Sequence, residues 1–256
     1  GASYFLNTIL DEPSFEPSIH LPSVARVSLG GAPVYPGLVR RACAHGISLV
    51  RAYGSTEHPG ATGTLHSDPP QQRMYTDGRA APGVELRIVD DDGRDVPDGK
   101  SGEILSRGPE LFAGYTDPAL TRSAVDSEGW YRTGDIGVLD AQGYLTITDR
   151  KKDVIIRGGE NISSVEVEAA LLAAPSVTDA CVLAVPDEVM GEKVGAVLVG
   201  EQIDVPTVIE HCRGQLADFK VPQYVTVTAT PLPRNAGGKL LKSELRGQIQ
   251  WGRPLR

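Results

Sequence analysis

The sequence has few of the features that mark secreted or metal-stabilised proteins. Its 256 residues include only three cysteines, Cys43, Cys181 and Cys212, which lie far apart and form no C-x-x-C pair. An odd number of scattered cysteines argues against a disulfide framework and provides no zinc-binding spacing. We therefore expect a reducing, cytoplasmic setting.

Positive charge and long apolar runs are also scarce. The 25 basic residues are outnumbered by 33 acidic ones, giving a net charge of −8, whereas nucleic acids and anionic membranes require clustered positive charge. No stretch reaches the roughly 18 apolar residues of a membrane span, and the first ten residues lack the pattern of a signal peptide. We expect no nucleic-acid partner and no membrane span. Residues 1–13 read as a helix already under way, which suggests a fragment of a longer protein.

The first part of the chain, 1–79, has the pattern of a βαβ unit. Apolar runs at 24–32 and 47–53 flank a segment with helical spacing at 36–45. Ligands bind such units beyond the carboxyl ends of the strands. The loops at 30–33 and 53–57 are therefore candidates for one site.

From about residue 80 to residue 151 the apolar pattern has a period of two. Such segments at 84–90, 102–108, 130–140 and 143–149 are separated by Asp-Gly and Gln-Gly turns. This pattern predicts an antiparallel sheet or a small barrel.

A third pattern follows the charged run at 149–153. We predict a short strand at 154–159, a helix from Ser164 to about Ala174 that begins with a capping box, and then strands and helices alternating to about residue 249. The predicted strands lie at 178–185, 194–199 and 221–228, and the predicted helices at 206–218 and 242–249. These elements form an α+β unit, 152–256.

Five short motifs each allow a structural and a functional interpretation. Residues 53–57 (Tyr-Gly-Ser-Thr-Glu) suit a turn with a helix cap, but also an aromatic ring for a base, hydroxyls for a phosphate and a carboxylate for Mg²⁺. Asp135 suits a turn or a ribose contact, and the charged run at 149–153 suits a linker or a hinge. Gly158 and Gly159 suit a hairpin turn or a narrow ligand passing close to the backbone. Residues 233–239 end in Gly-Gly-Lys but do not form a P-loop.

Taken together and in this order, the motifs at 53–57, 131–135, 149–162 and 231–239 closely resemble those of the adenylate-forming superfamily. That family contains acyl-CoA synthetases, peptide-synthetase adenylation domains and luciferases. The resemblance implies that 1–151 is the end of a large adenylation domain and that 152–256 is a small mobile lid domain.

The resemblance also implies a role for each matching residue. Lys239 would be the adenylation lysine, bridging the substrate carboxylate and the α-phosphate, and Lys152 would be the hinge. The other implied contacts are with adenine and the acyl group (Gly31, Ala32, Pro33), adenine (Tyr53), the nucleotide loop (Gly54, Ser55), the α-phosphate (Thr56), Mg²⁺ (Glu57), ribose (Asp135, Arg150) and the pantetheine arm of coenzyme A (Gly158, Gly159).

Residues 158–168 resemble acyl-CoA synthetases more than peptide-synthetase domains. They imply an ATP-, Mg²⁺- and coenzyme A-dependent ligase acting on a small carboxylic acid. The alternatives are an adenylating enzyme that loads a carrier protein and a truncated nucleotide-binding module. The family's Gly-rich phosphate loop does not occur in these 256 residues, and we expect it in a preceding part of the same enzyme.

Overall fold

The computed structural model describes residues 3–20 and 23–255 and divides the chain into two compact units, Gly1–Lys151 and Lys152–Arg256. In the described residues of the first unit, five helices accompany eight strands. They are α1 (Ser3–Asp11), α2 (Pro17–His20), β1 (Arg26–Gly30), α3 (Pro36–Ala44), β2 (Ser48–Tyr53), β3 (Thr62–Gly63), α4 (Pro70–Tyr75), β4 (Gly78–Ala80), β5 (Glu85–Val89), β6 (Ser101–Arg107), α5 (Pro118–Ala124), β7 (Tyr131–Leu139) and β8 (Tyr144–Arg150).

The predicted βαβ unit is present. Strands β1 and β2 pair in parallel, and α3 connects them. Helix α3 begins with Pro36, which suits the first turn because its missing N–H would have no partner there. Leu38, Val39 and Ala42 lie on one face of α3 and pack with buried side chains of β1 and β2.

Of the two alternatives predicted for residues 80–151, the antiparallel sheet is confirmed and the small barrel was wrong. The eight strands form one sheet in the order β1-β2-β3-β4-β8-β7-β6-β5, and no pairing among the described residues joins β5 back to β1. The short strands β3 and β4 connect the antiparallel part to β2, so the sheet is extended instead of closed. At Gly78 in β4, φ is +90° and a Cβ would lie 1.9 Å from a backbone carbon of Gly63, so this joint requires glycine.

The second unit has the predicted α+β composition. Its elements are β9 (Ile155–Arg157), β10 (Glu160–Ile162), α6 (Ser164–Leu172), β11 (Asp179–Asp187), β12 (Gly191–Val199), α7 (Val205–Arg213), a 3₁₀ turn (Asp218–Lys220), β13 (Tyr224–Thr228) and α8 (Lys242–Gln248). Helix α6 begins as predicted, with the Ser163 side chain accepting a hydrogen bond from the Glu166 backbone N–H. Helix α7 ends at Arg213, five residues before the predicted end at residue 218, with Gly214 as its C-cap residue.

Strands β11 and β12 form the centre of the second unit. They pair along nine residues, and side chains alternate between the two faces of the sheet. Val182, Val194 and Ala196 pack beneath α6 and α7. Cys181 and Leu183 belong to a separate cluster with Leu245 of α8 and other residues. Both faces of this sheet are therefore covered.

Within the described ranges, the helices are all too short or too polar to traverse a bilayer.

Candidate functional site

The two loops that follow β1 and β2 begin at the same edge of the sheet. Gly30 of β1 lies opposite Ala52 of β2 in the parallel register, so the chain leaves both strands side by side. A Cβ at Gly30 would lie 2.5 Å from the Ala52 carbonyl oxygen, and Gly31 has φ +79°. The structure thus brings the start of the predicted loop 30–33 next to the start of the predicted loop 53–57.

Hydrogen bonds hold the loop at 54–58 in one shape. The Ser55 N–H donates to the His58 carbonyl (3.1 Å), and the His58 N–H donates to Ser55 Oγ (3.2 Å). The Phe112 N–H donates to the Glu57 carbonyl (2.7 Å). Ser55 therefore has a local structural role, whereas Thr56 between these contacts is exposed.

Glu57 is held as a carboxylate. Tyr115 Oη donates to Glu57 Oε1 at 2.9 Å. Burial opposes ionisation of Glu57, but its own backbone N–H and the Tyr115 hydroxyl outweigh that effect and lower its pKa. Phe112 stacks edge-to-face on Tyr115, with ring centroids 4.8 Å apart. Tyr115 was not predicted from the sequence, because it lies 58 positions from Glu57 and belongs to no motif.

Asp135 is the centre of a second cluster. This buried carboxylate accepts hydrogen bonds from Tyr53 Oη on Oδ2 (2.8 Å) and from Arg150 Nε on Oδ1 (2.9 Å). Asp135 and Arg150 are cross-strand partners on β7 and β8, beside a bulge at which the register shifts. Bulges often re-aim side chains next to functional sites. Tyr53, Asp135 and Arg150 are therefore brought together.

Tyr53, which was predicted to stack on adenine, also has a structural contact through its hydroxyl group with Asp135. Burial, followed by the negative charge of Asp135, raises the pKa of Tyr53 far above its usual value. Its hydroxyl therefore stays protonated and can serve as the donor to Asp135. Adenine stacking by the ring stays a prediction.

A metal ion would find a single carboxylate in this loop. No group of three or more His, Cys, Asp or Glu side chains in the described part of the chain could hold a metal by itself. Mg²⁺ usually binds through one or two carboxylates together with substrate phosphates, so Glu57 fits that ion. His58 is buried, and its Nδ1 lies 2.8 Å from Ser106 Oγ.

In the second unit, Gly158 and Gly159 form the two-residue turn between β9 and β10. Their φ angles are +60° and +89°, and the Gly158 N–H donates to the Met190 carbonyl at 2.8 Å. The hairpin-turn interpretation is therefore correct, and passage of a pantetheine arm along these glycines stays a prediction. Lys152, at the start of this unit, is exposed, and its hinge role also stays a prediction.

Lys239 lies at the end of a tight turn. An antiparallel bridge joins Arg234 to Leu240. The Lys239 N–H donates to Asn235 Oδ1, and the Asn235 N–H donates to the Lys239 carbonyl, both at 2.9 Å. Residues 234–240 thus form a hydrogen-bonded hairpin.

Known proteins provide independent evidence of family. Residues 1–116 match the family model of AMP-binding enzymes, and residues 166–239 match the model of the AMP-binding enzyme C-terminal domain. The medium-chain fatty-acid–CoA ligase of Escherichia coli K12 is 43% identical over 257 residues, covering 97% of this chain and 45% of that protein. The indoleacetate–CoA ligase of Aromatoleum aromaticum is 38% identical over 244 residues, covering 94% of this chain and 48% of that protein.

A solved structure has the same fold. The crystal structure of ATP-bound MatB from Rhodopseudomonas palustris superimposes with a TM-score of 0.90 at 33% identity, covering 97% of this chain and 50% of that one. The chain spans about half the length of the curated relatives it matches. The strand-end loops, the Asp135 cluster and these matches together show that the chain belongs to the adenylate-forming AMP-binding enzymes.

Proposed function

We propose that this chain is part of an ATP-dependent acyl-CoA ligase. A carboxylate oxygen attacks the α-phosphorus of ATP, the bond to the β-phosphate breaks, and pyrophosphate leaves. The sulfur of coenzyme A then attacks the acyl carbon after loss of its thiol proton, and AMP leaves. Two relatives named as CoA ligases, at 43% and 38% identity, support this reaction.

The observation that carries the proposal is the cluster around Asp135. A carboxylate has about four acceptor positions, and Tyr53 and Arg150 each donate to one oxygen of Asp135. Two hydroxyls of a ribose can occupy the others. Arg150 places a positive charge against this buried carboxylate, and the Tyr53 hydroxyl helps to fix its orientation.

The loop that follows β2 is suited to the phosphates. Thr56 presents an exposed hydroxyl, and we assign it to the α-phosphate. Glu57 would hold Mg²⁺, which supplies positive charge at the phosphates when bound. Because Tyr115 and the Phe112 N–H hold Glu57, its carboxylate needs little rearrangement to receive the ion.

Lys239 supplies the remaining positive charge of the adenylation step. The reaction brings a carboxylate and a phosphate together, so catalysis must be electrostatic and positional. An ammonium group between the two anions favours their approach. Gly31, Ala32 and Pro33 are assigned to the adenine and acyl side, and Gly158 and Gly159 to coenzyme A in the second step.

The test is pyrophosphate release by the intact protein with ATP, Mg²⁺, coenzyme A and a panel of fatty, aryl and cyclic acids. The name of the Escherichia coli relative favours a fatty acid. We expect acid-dependent release of pyrophosphate and formation of an acyl-CoA. The absence of acid-dependent pyrophosphate release would refute the proposal. Pyrophosphate release with acyl transfer only to a carrier protein would show that the acceptor is that protein and not coenzyme A.

Separate assays of the two half-reactions test the role of Lys239. Lys239→Ala removes the ammonium group from adenylation but not from thiol attack. We expect adenylation to slow roughly a hundredfold or more, the usual cost of one transition-state contact, and thioester formation from supplied acyl-adenylate to change little. Equal losses in both steps would contradict this assignment.

A further inference from the structure

The hairpin that carries Lys239 is fixed at its base by a residue outside the catalytic assignments. Arg234 Nη1 donates to the carbonyl of Gly238, the residue before Lys239, at 3.0 Å. Arg234 Nη2 donates to both carboxylate oxygens of Asp179, at 2.8 and 2.7 Å. One guanidinium therefore joins the Lys239 backbone to a second element.

That second element is among the most firmly held parts of the unit. Asp179 is the first residue of β11, which pairs with β12 along its whole length of nine residues. The bonds within the hairpin fix its shape, since Asn235 engages both the N–H and the carbonyl of Lys239. Two features attach it to β11: Leu232 and Leu240 pack in the cluster that contains Cys181 and Leu183, and Arg234 ties the turn itself, at Gly238, to Asp179.

The ion pair is more than an ordinary surface contact. The Arg234 and Asp179 side chains are 20% and 24% exposed, and both oxygens of the carboxylate accept from the guanidinium. Exposed ion pairs contribute little to stability. Charge-assisted hydrogen bonds from a partly buried guanidinium are stronger and also restrict the relative position of the two side chains. A displacement of about 1 Å can slow an enzyme reaction by about a hundredfold.

We propose that Arg234 and Asp179 are positioning residues that hold Lys239 in place for adenylation. This inference rests on the proposed function of Lys239 and adds a role for two residues that touch neither ATP nor the acid. A purely structural pair would instead affect every activity of the second unit alike.

The first experiment compares Arg234→Met with wild type in the intact protein. We expect adenylation to slow between about tenfold and a hundredfold, with little change in the KM for ATP. Thioester formation from supplied acyl-adenylate should stay within twofold of wild type. Asp179→Asn keeps one carbonyl acceptor and should show a smaller loss of the same kind.

The matched control is Lys220→Met. Lys220 forms an ion pair of 2.7 Å with Glu166 in the same unit, with side chains 22% and 44% exposed. This ion pair does not involve the 234–240 hairpin. The control should therefore leave both half-reactions near the wild-type rate.

A double-mutant cycle with Lys239→Ala separates positioning from folding. If Arg234 acts through Lys239, Arg234→Met should slow adenylation less than twofold further once Lys239 is alanine. Effects that multiply, or equal losses in both half-reactions, would overturn the inference.

Amide hydrogen exchange provides a readout that does not depend on activity. Arg234→Met should accelerate exchange at the amides of Gly238 and Lys239 at least tenfold, and Lys220→Met should not. Unchanged exchange would overturn the inference even in an active enzyme. A wild-type protein that releases no pyrophosphate would refute the proposed function, while the exchange result would still decide whether Arg234 holds the hairpin.

Discussion

The sharpest test of the nucleotide site is Asp135→Asn. The amide has nearly the same volume as the carboxylate and can still accept from Tyr53 or Arg150, so the fold should survive the change. It removes the negative charge and replaces one acceptor oxygen with an NH₂ group. A ribose with two hydroxyl donors would therefore lose at least one charge-assisted hydrogen bond.

The magnitude follows from the contacts. Hydrogen bonds to charged groups contribute about 1.5–3 kcal/mol, and one lost bond of about 2 kcal/mol lowers nucleotide affinity roughly thirtyfold. In wild type, Arg150 Nε lies 2.9 Å from the Asp135 carboxylate. In the variant, Arg150 would keep its charge and would face a neutral amide. The neutral amide also repels the phosphates less than the carboxylate does, but this effect is the same for ATP and for 2′,3′-dideoxy-ATP, so a comparison of the two nucleotides reports the ribose contacts.

The assay is calorimetric titration of the intact protein with ATP and with 2′,3′-dideoxy-ATP. Wild type should prefer ATP strongly, while Asp135→Asn should discriminate little, because the ribose hydroxyls and the carboxylate act as a pair. The control is Asp95→Asn, a 64% exposed carboxylate paired with Arg87 on the same sheet. The site assignment would be refuted if Asp135→Asn bound ATP within twofold of that control, or still distinguished the two nucleotides as wild type does.

Three further predictions concern stability and reactivity in the intact protein. Gly78→Ala should unfold at a much lower urea concentration than Gly143→Ala: both glycines have positive φ, worth about 1–2 kcal/mol, but only at Gly78 would the new Cβ meet neighbouring backbone within 2 Å. Asp187, whose pKa is lowered by its lysine partner and by backbone N–H donors, contributes stability above about pH 4 that is lost as the pH falls through its folded value. The Tm difference between wild type and Asp187→Asn should thus shrink from pH 7 to pH 3, and a constant difference would contradict this. At pH 8, peptide mapping should find a thiol reagent on exposed Cys43 long before buried Cys181, whose pKa burial raises to about 12; equal labelling rates would contradict that burial.

The sequence predicted the parts of the fold that have a local periodic signal. The helical spacing at 36–45 between two apolar runs was sufficient for the βαβ unit, because parallel strands need a crossover connection that is usually a helix. Strands β3 and β4 have two and three residues, too few to show a period. These strands continue the sheet across its middle, which is why the expected barrel was wrong.

The candidate site was predictable only where strand ends or a family motif marked it. The loops at 30–33 and 53–57 followed from the rule that ligands bind beyond the carboxyl ends of parallel strands. The contact of Tyr115 with Glu57 spans 58 positions, and that of Arg234 with Asp179 spans 55. Such pairs leave no pattern in a single sequence, because they depend on how distant strands and turns pack.

The charges of the described contacts explain why adenylation would need both a metal and a lysine. In the first unit, the residues assigned to the nucleotide include two carboxylates, Glu57 and Asp135, and one guanidinium, Arg150. The net charge of these three side chains is −1, which does not attract a triphosphate. The whole chain, with a net charge of −8, supplies no attractive long-range field either. Positive charge must therefore come from groups at contact distance. Mg²⁺ on Glu57 can supply it at the phosphates, and Lys239 can supply it at the attacking carboxylate, where a precise location matters more than total charge. A charge that acts only at contact is sensitive to the attachment of its loop, which is the physical reason that the pair formed by Arg234 and Asp179 should matter for adenylation.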